Sequence, residues 1–299
     1  AWPSKQITII VNGGAGSLPD NFARPLADKL RIALGQPVVM ENKPGAGGMT
    51  ALQTLKNAPA DGYTVAVITN AHAVWNPYVF PRLTYDPQTD LVPVSPIAVI
   101  PMALVVSPKL PVQSIEQLID LAKRQPGVLN YASSSNGSPP HVLFELFKDQ
   151  AGVDIVHVPF KTGPEALTSV VAGDTQVYLA GTALVEPMVR DGRLRALAVS
   201  PKVSAPAFAS VPSFADKGYK GFEGAVWLGL VANAGVPVDV IQRLNRELGL
   251  ILQDPSVQKV FESQGSIPYH ASAAAFGQRI ADDRTLWAPV LKKLDLKPN

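Results

Sequence analysis

The sequence predicts an α/β fold with mostly parallel sheets, and three observations carry that reading. Short apolar runs alternate with amphipathic stretches of helical period along the whole chain. Several strand-to-helix junctions carry the serine, threonine and proline signals that start helices. With 299 residues, 46% of them hydrophobic, the chain is long enough for two domains, each with its own core.

The elements follow in order. Ile7 to Val11 is a buried strand, and Gly13 to Asp20 (GGAGSLPD) is a glycine-rich elbow after it. Phe22, Leu26, Leu30 and Ala33 then fall on one helical face, interrupted by Pro25, which removes a hydrogen bond. Pro37 to Met40, Tyr63 to Ile68 and Met102 to Val106 read as strands, as do Val128 to Ala132, Ile155 to Val158, Gln176 to Leu179 and Leu194 to Val199. Ile115, Leu118, Ile119 and Ala122 form a second helical face, and Ile241, Leu244 and Leu248 a third. Strand and helix in alternation imply parallel pairing. Val99 to Met102 and Gly221 to Val231 are the expected domain crossings. They give a discontinuous first domain, 1–101 with 222–299, and a second, 102–221.

Composition excludes several functions. A net charge of +2 without a Lys/Arg run does not imply nucleic acid as a partner. The longest nearly unbroken apolar run, Ile97 to Val106, contains Pro101 and is half the roughly 20 residues a membrane span needs. With no cysteine there is no disulfide, thiolate metal site or thiol nucleophile. The start, Ala1-Trp2-Pro3-Ser4, has neither a charged nor an apolar leader region, so no signal peptide is expected within this chain. Neither Gly13 to Pro19 nor Gly45 to Thr50 completes a phosphate-binding fingerprint. There is no GxSxG elbow, and His72, His141, His157 and His270 are scattered without metal-ligand spacing. His157 reads as a structural strand residue. No catalytic residue, metal or cofactor is expected.

What remains is anion binding. Ser17-Leu18-Pro19-Asp20 and Thr162-Gly163-Pro164-Glu165 fit the capping box, and Ser138-Pro139-Pro140 offers a hydroxyl cap followed by proline. Each follows a strand, on the sheet edge where α/β proteins bind ligands. Free N–H groups and the helix dipole there attract carboxylate or phosphate. Two such ends, one from each domain, would clamp a dianion. Ser114-Ile115-Glu116-Gln117 is a similar box without glycines, expected to be a plain helix start. Trp75, Phe160 and Trp227 are candidate pocket walls, set against the commoner fate of core packing.

From end to end the chain resembles the substrate-binding proteins of tripartite tricarboxylate transporters, the Bug or TctC-like family. The resemblance rests on Trp2 to Ile7, Ala15-Gly16 with Asp20 and Ala23-Arg24, Leu34 to Val39, Glu41 to Gly48 and Ala58 to Thr64. Asn130 to Ser133, His157 to Lys161, Gly192 to Val199 and Trp227 to Leu230 continue it. It implies a periplasmic, type II two-domain clamshell with a two-crossing hinge. Such a protein captures a small organic carboxylate and delivers it to membrane permease subunits, without catalysis and as a monomer. The resemblance and the helix-end reading together select Gly14, Ala15, Gly16, Ser17, Leu18 and Asp20 in the first loop. They select Ser133, Ser134, Asn136, Ser138 and His141 in the second. Phe160, Lys161, Thr162, Thr69, Asn70 and Thr182 complete the expected ligand set; Asp20 has the alternative of serving only the cap, and Asn76 that of a turn residue.

The chain departs from the family pattern at two places. Asn12-Gly13-Gly14 replaces a Pro-Phe-Pro, with Ser17 in place of a glycine. Ala180 and Gly181 stand where many relatives carry an acid able to hold an ammonium. With apolar surface from Leu18, Phe160 and Leu179, the expected ligand is a larger dicarboxylate or aromatic carboxylate, adipate-like or terephthalate-like, rather than an amino acid. The alternatives are an enzyme acting on a carboxylate and a ligand-sensing partner of a membrane sensor.

Overall fold

The computed structural model describes residues 1–294 and 296, which form two compact units. Of the described residues, unit 1 comprises 1–99 and 227–288, and unit 2 comprises 100–226, 289–294 and 296. The chain passes between them at 99/100, at 226/227 and again at 288/289. The sequence reading places only two crossings, at 101/102 and 221/222.

Unit 1 contains β1 (Ile7–Val11), α1 (Leu18–Leu34), β2 (Val38–Asn42), α2 (Met49–Asn57), β3 (Thr64–Thr69), α3 (Asn76–Val79) and β4 (Leu91–Val99). Unit 2 continues with β5 (Met102–Val106), α4 (Ile115–Arg124), β6 (Asn130–Ser133), α5 (Pro139–Ala151), β7 (Val156–Pro159), α6 (Gly163–Ala172), β8 (Val177–Gly181), α7 (Thr182–Arg190) and β9 (Arg195–Ser200). β10 (Trp227–Asn233), α8 (Val238–Ile251), α9 (Pro255–Ser263) and β11 (Ile267–Pro268) return to unit 1. The final helix, α10 (Ala273–Lys293), begins in unit 1 and ends in unit 2.

The sheets are mixed, where the sequence reading has them mostly parallel. In unit 1 the order is β11-β4-β10-β3-β1-β2, with β1 parallel to β2 and β3, and β10 antiparallel to both its neighbours. In unit 2 the order is β7-β6-β8-β5-β9, with β6 parallel to β7 and β8 but β5 antiparallel to β8 and β9. Periodicity along the chain identifies strands but carries no information on their direction.

β4 escapes the sequence reading because Pro93 and Pro96 interrupt it. The pairing accommodates them: at the register shifts Leu228/Gly229 and Leu230/Val231, β10 passes over Ile97 and Val94, so that Pro96 and Pro93 stand opposite Gly229 and Val231. Each shift is thus a bulge in β4 next to a proline, which donates no ladder bond.

α1 packs the stripe of Phe22, Leu26 and Leu30 into the unit 1 core, with Phe22 edge-on to Phe261 at 4.7 Å. The helix runs unbroken past Pro25 and stops at Gly35, whose left-handed backbone lets its N–H close on Arg31 O. Unit 2 builds its core from Ala103, Val105, Ala132, Tyr178, Val199 and their neighbours. No helix among the described residues is long and apolar enough to cross a membrane.

Candidate functional site

In unit 1 the parallel strands β1, β2 and β3 end on one edge, and the loops after them gather polar groups there. The loop after β1 is held from below by Asp20, which is 1% exposed. Its carboxylate accepts the Gly16 N–H at 2.9 Å, Asn42 Nδ2 at 3.1 Å and Arg24 Nη2 at 2.9 Å. Burial pushes the Asp20 carboxyl upward, but the Gly16, Asn42 and Arg24 donors outweigh it and hold it below the ordinary carboxylate range. Asp20 is therefore fully engaged and shapes the loop. Its cap alternative is modified rather than fulfilled: the acid takes the Gly16 N–H, while the Ser17 N–H goes to Gly14 O.

That leaves Ser17 uncommitted. Its Oγ is sealed from solvent and has no hydrogen-bond partner among the described residues, although Ser17 stands at the α1 N-cap. The N–H groups of Gly14, Ala15 and Leu18 likewise make no bond within the described residues. Gly13 adopts φ +147°, and a Cβ there would lie 2.4 Å from Ser17 Oγ. Gly14 and Gly16 border open space.

Behind this loop stands a histidine that the sequence reading does not select. His72 Nδ1 accepts the Thr69 N–H at 2.9 Å, so its ring proton sits on Nε2. The Asn12 carboxamide meets Nε2 at 3.0 Å. A donor there requires the Asn12 oxygen as acceptor, which turns its NH2 away from the ring. Burial pushes His72 down to about 4, so it is neutral. Asn70 is 2% exposed; its Oδ1 accepts the Trp227 N–H at 3.2 Å, and its Nδ2 is buried without a partner among the described residues. Asn76 is not a simple turn residue: its Nδ2 donates to Gly47 O and to Tyr85 Oη. Trp75 and Trp227 are core rather than pocket walls, packed edge-on against Trp287 and Phe276.

In unit 2 the parallel strands β7, β6 and β8 also end together. Phe160 follows β7, and its N–H bonds Ser133 O at 2.9 Å. Ser133 is buried, whereas Ser135 and Asn136 are exposed. Ser138 does not cap α5 with its side chain; its Oγ donates to Ser135 O at 2.7 Å. His141 Nδ1 accepts the Gly137 N–H at 2.9 Å, which places the proton on Nε2. No described residue partners that Nε2–H. Burial, aided by Lys148, pushes His141 down to about 4. Burial, with His141 beside it, pushes His157 down to about 4 against the opposing pull of Glu145. The two rings, sixteen positions apart in sequence, stack with centroids 3.9 Å apart.

The remaining expected residues divide. Thr162 completes the cap of α6, with Oγ1 accepting the Glu165 N–H at 3.2 Å while Glu165 accepts the Lys161 N–H. The Lys161 side chain is exposed and has no partner among the described residues. Thr182 opens α7, buried, with its N–H on Pro101 O. Ala180 and Leu179 lie in the core, so Leu179 adds no apolar surface to a site. Gly181 differs: a Cβ there would meet nothing within 4 Å. Among the described residues no group of three or more His, Asp and Glu side chains could hold a metal.

Each unit thus presents a helix N-terminus with spare neutral donors at the end of parallel strands, an arrangement suited to carboxylate. The sequence profile described as tripartite tricarboxylate transporter family receptor (TctC) matches residues 22–296. The BugT protein of Bordetella pertussis is 33% identical over 99% of this chain and 91% of its own length. Among solved structures, the Rhodopseudomonas palustris protein Rpa4515 with adipate is 32% identical, with a TM-score of 0.81 over 98% of each chain. MatC from the same organism, with bound malate, is 25% identical, with a TM-score of 0.78 over 97% of this chain and 100% of that one. The chain belongs to the TctC family of periplasmic solute-binding receptors, and it is a receptor rather than an enzyme.

Proposed function

We propose that this receptor binds a small organic dicarboxylate as a monomer, and that the loops 13–20 and 133–141 each carry carboxylate donors. The carrying observation is the set of donors that the fold leaves unspent: the buried Ser17 Oγ and Asn70 Nδ2, and His141 Nε2–H. An unmade buried hydrogen bond costs about 1–3 kcal/mol. A ligand that accepts from these groups recovers that cost. Ser134, Asn136, Phe160, Lys161, Thr69 and Thr182 supply the surroundings on the same strand ends. Relatives solved with adipate and with malate support the dicarboxylate class. Receptors of this family work with tripartite transporter permeases, and we propose that delivery to such a permease is the role of this chain.

The charge inventory argues against amino acids. In 12–20, 133–141, 160–162 and 180–182 the only acid is Asp20, and it is spent on Gly16, Asn42 and Arg24. Within these segments a ligand ammonium would find no unspent carboxylate. The open space at Gly181 favours a second, bulkier class, an aromatic dicarboxylate such as terephthalate. The test is thermal shift and calorimetry with adipate, malate, terephthalate, aspartate and glutamate. A binder at 100 times its Kd stabilises by about 2.7 kcal/mol, a shift of several degrees. Shifts with the unaminated acids are expected. A shift confined to aspartate or glutamate would reject the amine-free reading, and no shift with any acid would reject the carboxylate sites.

A further inference from the structure

His157 lies on β7, outside both loops, yet it holds the second loop at both ends. Its Nε2 is 2.6 Å from Ser133 Oγ, at the residue where β6 runs into the loop. Its ring stacks on His141, in the first turn of α5, with planes within 4° of parallel. The ring also stacks on Tyr131, its register partner on β6, at 5.0 Å. Tyr131 is anchored in turn by Phe144 at 3.9 Å and by its hydroxyl, which donates to Glu145 Oε1 at 2.6 Å.

We propose that His157 is a positioning residue for anion binding in unit 2: its stacking face and its bond to Ser133 aim His141 Nε2–H and shape the loop 133–141. The proposal rests on the reading of that loop as a carboxylate site. Two stacked imidazoles attract only while they are not both charged. The charged and titratable groups facing His157 are His141, Glu145 and Lys148 from α5 and Tyr131 from β6. Glu145 and Lys148 pair with each other at 3.0 Å; they oppose each other at His157, while at His141 Lys148 favours the neutral ring. Without the His157 face, the His141 ring turns about its side-chain torsions and gives up the Gly137 bond. The donor then loses its direction.

The test combines NMR of isotope-labelled histidines in the full chain with calorimetric titration of adipate and malate. In the wild type, His141 is expected as one neutral tautomer, protonated on Nε2, at neutral pH. His157→Ala is expected to mix the tautomers, to speed exchange of the Gly137 amide, and to weaken the tighter probe about tenfold. His157→Phe keeps a stacking face without the nitrogen. It is expected to restore the His141 tautomer and only part of the affinity. Unchanged tautomer and Gly137 exchange in folded His157→Ala would overturn the proposal. If that variant does not fold, unchanged affinity in both His157→Phe and Ser133→Ala overturns it instead. If neither acid binds the wild type, the dicarboxylate reading fails, while the tautomer and exchange data still decide the positioning role.

Discussion

The starts of α4 and α1 carry similar capping signals and use them in opposite ways. Ser114 Oγ accepts the Gln117 N–H at 3.1 Å, and Gln117 Oε1 accepts the Gln113 N–H at 2.8 Å, so the helix satisfies itself. At α1, Ser17 Oγ caps nothing, and the acid expected to complete the box is drawn down to Asn42 and Arg24. α5 resembles α1, with Ser138 turned to Ser135 O. A cap that closes on its own helix spends its hydroxyl and the N–H groups it accepts, and offers correspondingly fewer donors to a ligand. A cap that stays open is kept open by tertiary contacts, and its cost is recovered only when something binds.

The largest effect that sharpens this contrast belongs to the neutral histidine behind the open cap. His72 has its value depressed from 6.5 to about 4 by burial. A depressed histidine lets the unfolded chain bind the extra proton between those two values. Its stabilising neutrality is present above about 6.5 and is lost as pH falls towards 4, by roughly 3 kcal/mol. Chemical denaturation across that window is expected to show a slope to which His141 and His157, also depressed to about 4, contribute, and His72→Gln to reduce it by the His72 share. A wild-type stability independent of pH there would remove His72 from the account.

Asp20→Ala comes next. It orphans the Gly16 N–H and unpairs Arg24, with an expected loss of about 2–3 kcal/mol and of carboxylate affinity, read by denaturation and calorimetry. The pH window differs from that of His72. The Asp20 value is lowered, so its contribution is intact above the usual carboxylate value of about 4 and is lost as pH falls through the folded value.

Gly13→Ala is expected to cost about 2 kcal/mol, because φ is +147° and the new Cβ meets Ser17 Oγ. Gly14→Ala, facing open space, is expected to shift stability by less than about 0.5 kcal/mol. Equal costs at the two positions would show that the elbow is not held in the shape described.

The smallest effect is the most direct comparison of the two caps. Ser114→Ala is expected to lose about 1 kcal/mol of stability and leave carboxylate affinity unchanged. Ser17→Ala is expected to raise the stability of the unliganded protein by about 1 kcal/mol or more, since it removes an unpartnered buried hydroxyl, and to weaken carboxylate binding about tenfold. The reverse pattern would place the ligand donors elsewhere.

Much of this was legible in the residues. The strand runs, the α1 stripe, the elbow 13–20 and the serine-rich loop 133–138 follow from period and turn chemistry. β4 was hidden by Pro93 and Pro96, and it is a strand only through pairing with β10, a partner more than a hundred positions away, with a bulge in β4 beside each proline. His72 and His157 were hidden because nothing local marks a histidine that accepts a backbone N–H or stacks on a distant ring.

The sequence by itself determined the α/β alternation, the places where helices begin, and the family. These depend on interactions within a few residues and on motifs in fixed order. Only the tertiary structure decided the direction of strands, which capping groups are spent, and which histidines meet. Those are outcomes of pairing between distant segments, where burial and competition for each hydrogen bond are settled together.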